Sequence, residues 1–389
     1  MIKVSEWLDS SSVVDVVLFD FSKAFDRVSH SVLLDKLSNL GIGGRVLSWL
    51  ADFLTGRVMR VCVSGVASGS RSVGCGVPQG SVLGPLLFLI FVNHLPHYIK
   101  SKCKIFADDL KIYMEIGRGS HEEMSSDLFA CQSDIDKLSC VSSSWGLLLN
   151  VDKCVTIRFQ RGIVGWEGVT SSDYFLYRQV IQRVSSHRDL GIIIDNQLKF
   201  HEHIRSIVSK TSGLSANILK STICRDVAFM MPVFLAHVRP ILEFGSCAWN
   251  TGYIGDLKLL EGVQRRWTKK IHGLEDMSYL SRLRYLNLFS VKGRLLRADI
   301  IKCWKIFHDK CSIAPSDMFV LPSRSGLRGH KYKLAHRLSH IECRKRFFTV
   351  RIVSVWNGLP SDVVELDSLS AFKNALAVCL GDALFDFAD

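Results

Sequence analysis

The stretch VVDVVLFDF, Val13 to Phe21, constrains the fold of this chain more than any other. It is short, β-branched and almost wholly apolar, and it reads as a strand buried at the centre of a sheet. A carboxylate, Asp20, stands at its C-terminal end. Such a strand needs neighbours, and KIFADDLKIY, Lys104 to Tyr113, offers one. This apolar run breaks at Asp108 and Asp109, and an acidic pair there reads as the tip of a β-hairpin, because Asp tolerates turn geometry that β-branched residues do not. The tip is a plain turn or a metal site, and the dipeptide alone favours the turn.

Around these strands the pattern alternates. Val32, Leu33, Leu37 and Leu40 recur at helical spacing, and Gly41 supplies a stop. Arg57 to Val66 alternates like a strand, and a Gly/Ser-rich stretch leads into GVPQGSVLGPLLFLIFVNHL. That segment reads as a tight glycine loop entering a buried helix, with Gly84 as cap and Pro85 in the first turn. Leu128, Ile135, Leu138 and Trp145 mark another helix, LLLNVDKCVTIRF a return to strand, DLGIIID a further strand from Asp189 to Asp195, and Glu202 to Lys220 a helix. Strands dominate before about Asp195 and helices after it, which predicts an α+β domain followed by a helical one.

Composition narrows the function. The 389 residues are 48% hydrophobic, enough for proper cores, and the formal charge of +12 points to a polyanionic partner or to a generic basic surface. Twelve cysteines without a C-x-x-C pair, and a start lacking a secretory pattern, predict reduced intracellular thiols. The longest apolar run, Val82 to Val92, falls short of the roughly 18 residues of a membrane span, so no membrane helix is expected. Cys303, His308 and Cys311 lack the spacing of a zinc site and read as helix core and surface.

Asp20 at a strand end, the glycine loop around Gln79 and the aspartate pair together suggest a chemistry. If adjacent strands bring Asp20 and Asp108 to one end of a sheet, the carboxylates repel unless a cation lies between them, and hard oxygen ligands favour Mg²⁺. Two such ions would serve an in-line phosphoryl displacement.

The segments FDFSKAFDRVSH, GVPQGSVLGPLLFLIFVNHLP, FADD, LNVDKC and LGIIIDNQLKFHEHI, in that order, resemble the palm motifs of reverse transcriptases from non-LTR, LINE-like retrotransposons of the jockey and chicken-repeat type. WNTGYIGDLKLLEGVQRRWTKKIHG, LRGHKYKL and FFTVRIVSVWNGLP resemble their thumb and C-terminal portions. The resemblance implies a polymerase palm, an antiparallel sheet with packed helices, over residues 1–200 with only partial fingers. It implies a thumb-like helical region over 201–280 and a helical, basic C-terminal region over 281–389. Little of the fingers region that such proteins carry upstream of the Asp20 strand is expected.

It also implies roles. Asp20 and Asp108 would bind two Mg²⁺ ions, with Mn²⁺ as a substitute, and the Phe21 carbonyl would complete one shell. Asp109 would support the site as a third catalytic aspartate or bind a metal only loosely. Phe25 takes the position of a steric gate against a ribose 2′-hydroxyl, with core packing as its plainer reading; Gln79 and Gly80 take the floor of the nucleotide pocket. Lys153 would lie near the departing pyrophosphate, or be a solvated strand-end lysine. Arg265, Arg266, Lys269 and Lys270 share a helix with Leu260, Val263 and Trp267, so a basic face would follow a duplex backbone or only meet water. Arg344, Lys345 and Arg346 are ambiguous in the same way. His201 and His203 receive no chemical role, and His203 reads as a capping or packing residue. The implied activity is RNA-directed DNA polymerisation, with an RNA template, a DNA primer and deoxynucleoside triphosphates as partners and with nucleus and cytoplasm as location by analogy. The alternative is a silent palm and thumb that only binds nucleic acid.

Overall fold

The computed structural model describes residues 1–10, 12–117, 121–160, 173–322 and 329–387. The chain divides into two compact units, Ser10–Ser185 and a second formed by Met1–Asp9 with Ser186–Asp389.

The first unit is built on five strands: β1 (Val13–Phe19), β2 (Lys102–Phe106), β3 (Asp109–Ile116), β4 (Val155–Phe159) and β5 (Gln182–Arg183). Their order across the sheet is β5-β4-β1-β3-β2, with β5 parallel to β4 and the other neighbours antiparallel. The β-branched run is thus the central strand, and all seven of its residues are buried. Helices His30–Asn39, Leu83–Val92 and His121–Ser144 join the sheet in one core, where Val17, Phe19, Leu110 and Ile112 meet Leu33, Leu37, Phe88, Phe91, Ile135 and Leu138.

Three local readings change. The helix after the glycine loop begins at Leu83, so Gly84 lies inside its first turn and is not the cap. Ser81 does that work: its hydroxyl accepts from Gly84 N at 2.9 Å and donates to Pro78 O at 2.7 Å. Gly84 is needed for closeness, since a Cβ there would stand 2.8 Å from Pro78 O. The alternating stretch from Arg57 is an exposed ribbon of two short strand pairs, Val58–Met59 with Arg71–Ser72 and Cys62–Val63 with Val66–Ala67. DLGIIID is split by left-handed Leu190 and Gly191, so that Ser186–Asp189 and Ile192–Asp195 form a hairpin where one strand was expected.

The second unit is helical apart from that hairpin. Its longest helices are His201–Ser221, Ile254–Thr268, Val291–Phe307 and Leu369–Leu380, and one core gathers Trp304, Phe348, Trp356 and Phe372. The N-terminal helix Ile2–Asp9 belongs here: Asp9 Oδ1 accepts from His340 N and Ile341 N, and Glu6 pairs with Arg344 at 3.1 Å. One helical stretch among the described residues, Val227–Trp249, is long and apolar enough to cross a membrane. In the sequence His237, Arg239 and Glu243 interrupt its apolar run, and its length does not match the expectation of no membrane-length helix. Within the unit it turns Met230, Phe234, Val238, Leu242 and Trp249 inward, and it changes pitch at a π-helical turn after Pro232.

Candidate active site

The β1–β3 register ends with Phe19 opposite Leu110, so Asp20 and Asp109 are the residues that directly flank its last pair. The β2–β3 hairpin closes with Phe106 opposite Asp109, which leaves Ala107 and Asp108 as a two-residue turn with Ala107 left-handed. The end of the central strand and the acidic hairpin tip therefore come to the same end of the sheet.

The backbone after Asp20 is fixed from the other side. Phe21 bridges to Leu149, flanked by hydrogen bonds from Ser22 N to Leu148 O and from Asn150 N to Asp20 O, both 2.8 Å. In such a pair the facing residue turns its own N–H and C=O away from its partner. The Phe21 carbonyl is thereby directed away from Leu149, to the side on which β3 lies.

Asp20 Oδ2 is buried and accepts no hydrogen bond. The cation beside it is Lys153, whose Nζ lies 3.3 Å away on a largely exposed side chain. Lys153 ends a short 3-10 turn, Val151–Lys153, which starts at Asn150; the Asn150 side chain accepts from Asp152 N at 3.2 Å. Cys154 follows directly. Burial, with Asp20's charge adding, pushes its thiol up to about 11, so it stays protonated at neutral pH and is no nucleophile.

The glycine loop is stitched to the segment after β1. Val77 N donates to Phe25 O at 2.9 Å, Gly76 N to Val28 O at 2.8 Å, and Gln79 Nε2 to Asp26 Oδ1 at 2.7 Å. Gly76 O in turn meets His30 Nε2 at 2.9 Å and Arg57 Nη2 at 2.7 Å. No side chain fits at Gly76: its φ is +86° and a Cβ would sit 2.7 Å from Asp26 O. Phe25 is half-buried and stacks on Phe88, with ring centroids 4.4 Å apart. Gln79 and Gly80 are exposed. The sequence reading missed Asp26, the residue that joins Gln79 to the Phe25 turn, since a lone exposed aspartate carries no spacing signal.

Among the described residues no group of three or more His, Cys, Asp or Glu is gathered closely enough to hold a metal ion by itself. Asp20, Asp108 and the Phe21 carbonyl lie at one end of the sheet and offer hard oxygens, the donor type that suits Mg²⁺. The buried, unbonded Asp20 oxygen fits such an ion.

The reverse transcriptase (RNA-dependent DNA polymerase) family model matches residues 9–194, which take in both Asp20 and the hairpin tip. Over residues 9–194 the chain is similar to reverse transcriptases, and its curated relatives are RNA-directed DNA polymerases of mobile elements. It is 28% identical over 283 residues to the RNA-directed DNA polymerase from mobile element jockey of Drosophila funebris, covering 69% of this chain and 29% of that protein. To the probable RNA-directed DNA polymerase from transposon X-element of Drosophila melanogaster it is 24% identical over 279 residues, covering the same shares. The chain thus spans less than a third of the length of these curated relatives. A telomerase from Candida tropicalis, solved with a fragment of telomeric RNA, aligns with 76% of this chain and 47% of its own at 13% identity and a TM-score of 0.34.

The four basic residues of the second unit lie outside the residues matched to the reverse transcriptase family. On helix Ile254–Thr268, Leu260, Val263 and Trp267 are buried as their spacing predicts. Arg265 turns to the rings of Tyr279 and Phe387, 4.9 and 5.3 Å from their centroids, while Arg266, Lys269 and Lys270 are exposed. Arg344 is also taken up in packing, 3% exposed and bonded to Ser5, Glu6 and Thr349. His201 meets Asp256 at 2.7 Å, and His203 packs on Trp249 with Nδ1 accepting from Ile193 N.

Proposed function

We propose that this chain is the palm and thumb portion of an RNA-directed DNA polymerase, which joins a deoxynucleotide to a primer 3′-hydroxyl on an RNA template. The observation that carries the reading is Asp20 Oδ2, a buried carboxylate oxygen without a hydrogen bond, met only by the largely exposed Lys153 ammonium at 3.3 Å, at the same end of the sheet as the Ala107–Asp108 turn. An acidic oxygen withheld from water is costly to keep unless a cation completes it. Asp20, Asp108 and the Phe21 carbonyl would hold two Mg²⁺ ions, or Mn²⁺ in their place, with substrate phosphates filling the open positions. When bound, such ions neutralise charge on the attacking and leaving oxygens of a phosphoryl displacement.

The remaining roles fall to the chain's own residues. Asp109, which pairs with Phe106 at the base of the turn, would support the site. The Phe25 ring, held on Phe88, would crowd a ribose 2′-hydroxyl and favour deoxynucleotides. Gln79 and Gly80 would floor the nucleotide pocket, and the bond to Asp26 keeps the Gln79 amide in one orientation. Lys153 would meet the charge that gathers on the departing pyrophosphate. Residues 201–280 would form the thumb, where Arg266, Lys269 and Lys270 contact the duplex backbone and Arg265 packs the helix that bears them. Residues 281–389 would form the basic C-terminal region.

Primer extension on an RNA template with Mg²⁺ tests the reading, with Asp108→Ala as the comparison. Wild type should extend and the variant should not, at equal template binding. If neither extends while both bind equally, the polymerase reading of this chain is wrong.

A further inference from the structure

In the helical unit, helix Ile2–Asp9 carries one carboxylate that gathers three cations. Glu6 Oε1 accepts from Arg337 Nη1 and from Arg344 Nη2, both at 3.1 Å, and Glu6 Oε2 accepts from Lys3 Nζ at 2.9 Å. Arg344 is the buried member, with Nη1 on Ser5 and Thr349 and with Nε buried without a hydrogen bond. Lys3 and Arg337 reach in from outside, with 60% and 49% of their side-chain surface exposed. Burial holds the Arg344 guanidinium below its ordinary range against the pull of Glu6, so the acids around it do not offset the full cost of its charge.

All four side chains line one cavity of about 250 Å³, set between that helix, the short helix Pro315–Met318, residues 335–337 and helix Phe348–Gly358. The other ionisable groups on its wall are Asp317 and His336, and Val350 and Val353 give it an apolar side. Asp9, the second acid of the helix, is occupied by His340 N and Ile341 N. One acid and one base would suffice to dock the helix, as Asp299 and Arg351 show elsewhere in the unit with two bonds of 2.9 Å. Three cations on one carboxylate repel one another and lose hydration, and packing alone gives no reason to collect them at the wall of a cavity. A phosphomonoester does, because it brings up to two negative charges and three acceptor oxygens, which the guanidinium forks and the ammonium can share. A cavity of this modest size suits a phosphate with a compact organic group.

We propose that Lys3, Arg337 and Arg344, gathered by Glu6, form a binding site for the phosphomonoester of a nucleotide, outside the residues matched to reverse transcriptases. That the phosphate belongs to a nucleotide rests on the polymerase reading above. Its source is a free mononucleotide or the phosphorylated 5′ end of a strand. Primer extension tests that reading and phosphate-dependent binding tests the cavity, so the two fail separately.

Fluorescence anisotropy of a 3′-labelled RNA oligonucleotide against the full chain, with the 5′ end phosphorylated or left as hydroxyl, reads the site for a strand. The melting temperature of the protein with adenosine monophosphate or with adenosine, at equal ionic strength, reads it for a free nucleotide. The 5′ phosphate should tighten wild-type binding by about tenfold or more. Arg337→Gln and Lys3→Gln should each remove most of that preference and leave the affinity for the 5′-hydroxyl strand as it was. Both side chains are half-exposed or more, so the variants should melt as wild type does. Should Arg337→Gln melt lower, Lys3→Gln carries the comparison. If adenosine monophosphate raises the melting temperature of wild type and not of the variants while the 5′ phosphate changes nothing, the site takes free mononucleotides. If neither probe distinguishes phosphate from hydroxyl, or if the variants keep the wild-type preference, the cations only dock helix Ile2–Asp9 and the site does not exist.

Discussion

Asp15 and Asp20 lie on one run of chain and meet opposite fates. Asp15 is fully buried in β1, yet every demand of its carboxylate is met. Arg158, its register partner on β4, donates from Nε at 2.8 Å and from Nη2 at 2.6 Å, and Tyr174 adds its hydroxyl at 2.8 Å. Burial, with Asp15's charge adding, pushes the Tyr174 phenol far up, so the hydroxyl stays a donor. Asp20, just past the strand end, is partly exposed and keeps one oxygen buried and unbonded. A completed carboxylate is part of the scaffold, and an incomplete one at the edge of the scaffold is available for chemistry. The difference lies in position: mid-strand, two neighbours saturate the side chain, whereas past the strand end its partner is an exposed lysine.

The largest expected effect tests the saturated side. Asp15→Ala removes the buried carboxylate to which Arg158 and Tyr174 both donate, and should cost about 3–5 kcal/mol of unfolding free energy. Urea denaturation measures it, and a loss below 1 kcal/mol would mean that the pair is dispensable. Asp20→Asn should do the reverse, lowering the primer-extension rate by about 10²–10³ while shifting unfolding free energy by less than about 0.5 kcal/mol. Should Asp20→Asn destabilise as much as Asp15→Ala, the two carboxylates are both structural and the contrast collapses.

The contrast also marks how far the sequence could be read. The central strand, the hairpin tip and the helix at Ser29–Leu40 were legible because period and turn chemistry act locally. Asp20 and Asp108 were legible as a pair because one ends a strand and the other tops the neighbouring hairpin. The Asp15–Arg158 pair was not, since the partners are 143 residues apart and only the register unites them. Gly84 misled because a glycine before a helical proline looks like a cap, while the tight approach of Pro78 O is a tertiary fact. The basic clusters stayed open for the same reason. Charge is visible in sequence, but whether it faces water, as at Lys269 and Lys270, or aromatic rings, as at Arg265, is decided by packing.

His203 tests whether an unbonded buried atom signals function by itself. Its Nε2 is buried and unbonded, as Asp20 Oδ2 is, but the ring is 1% exposed and sealed against Trp249. Burial, and secondarily the charge of Arg188, lowers it from 6.5 to about 4. Between those values the unfolded chain binds the proton and the folded chain does not. Stability should therefore be intact above pH 6.5 and fall as pH drops towards 4, by up to about 3 kcal/mol. His203→Gln should flatten the dependence of unfolding free energy on pH in that window and leave extension unchanged. A loss of extension with unchanged folding would break the rule that an incomplete group needs access to act.

Lys153 carries the smallest effect and the finest distinction. With its side chain 65% exposed, its ion pair with Asp20 is worth about 0–1 kcal/mol, so Lys153→Met should barely move stability. If Lys153 serves the departing pyrophosphate, the same change should lower kcat about tenfold, or about 1.4 kcal/mol, with little change in KM, because the charge it meets develops only as the bond breaks. Lys153→Arg should restore most of that rate. If Lys153→Met instead leaves kcat alone and lowers the melting temperature, the lysine exists to quiet Asp20. The unbonded oxygen of Asp20 would then be a compensated structural charge, as Asp15 is, and the site would have to be sought elsewhere.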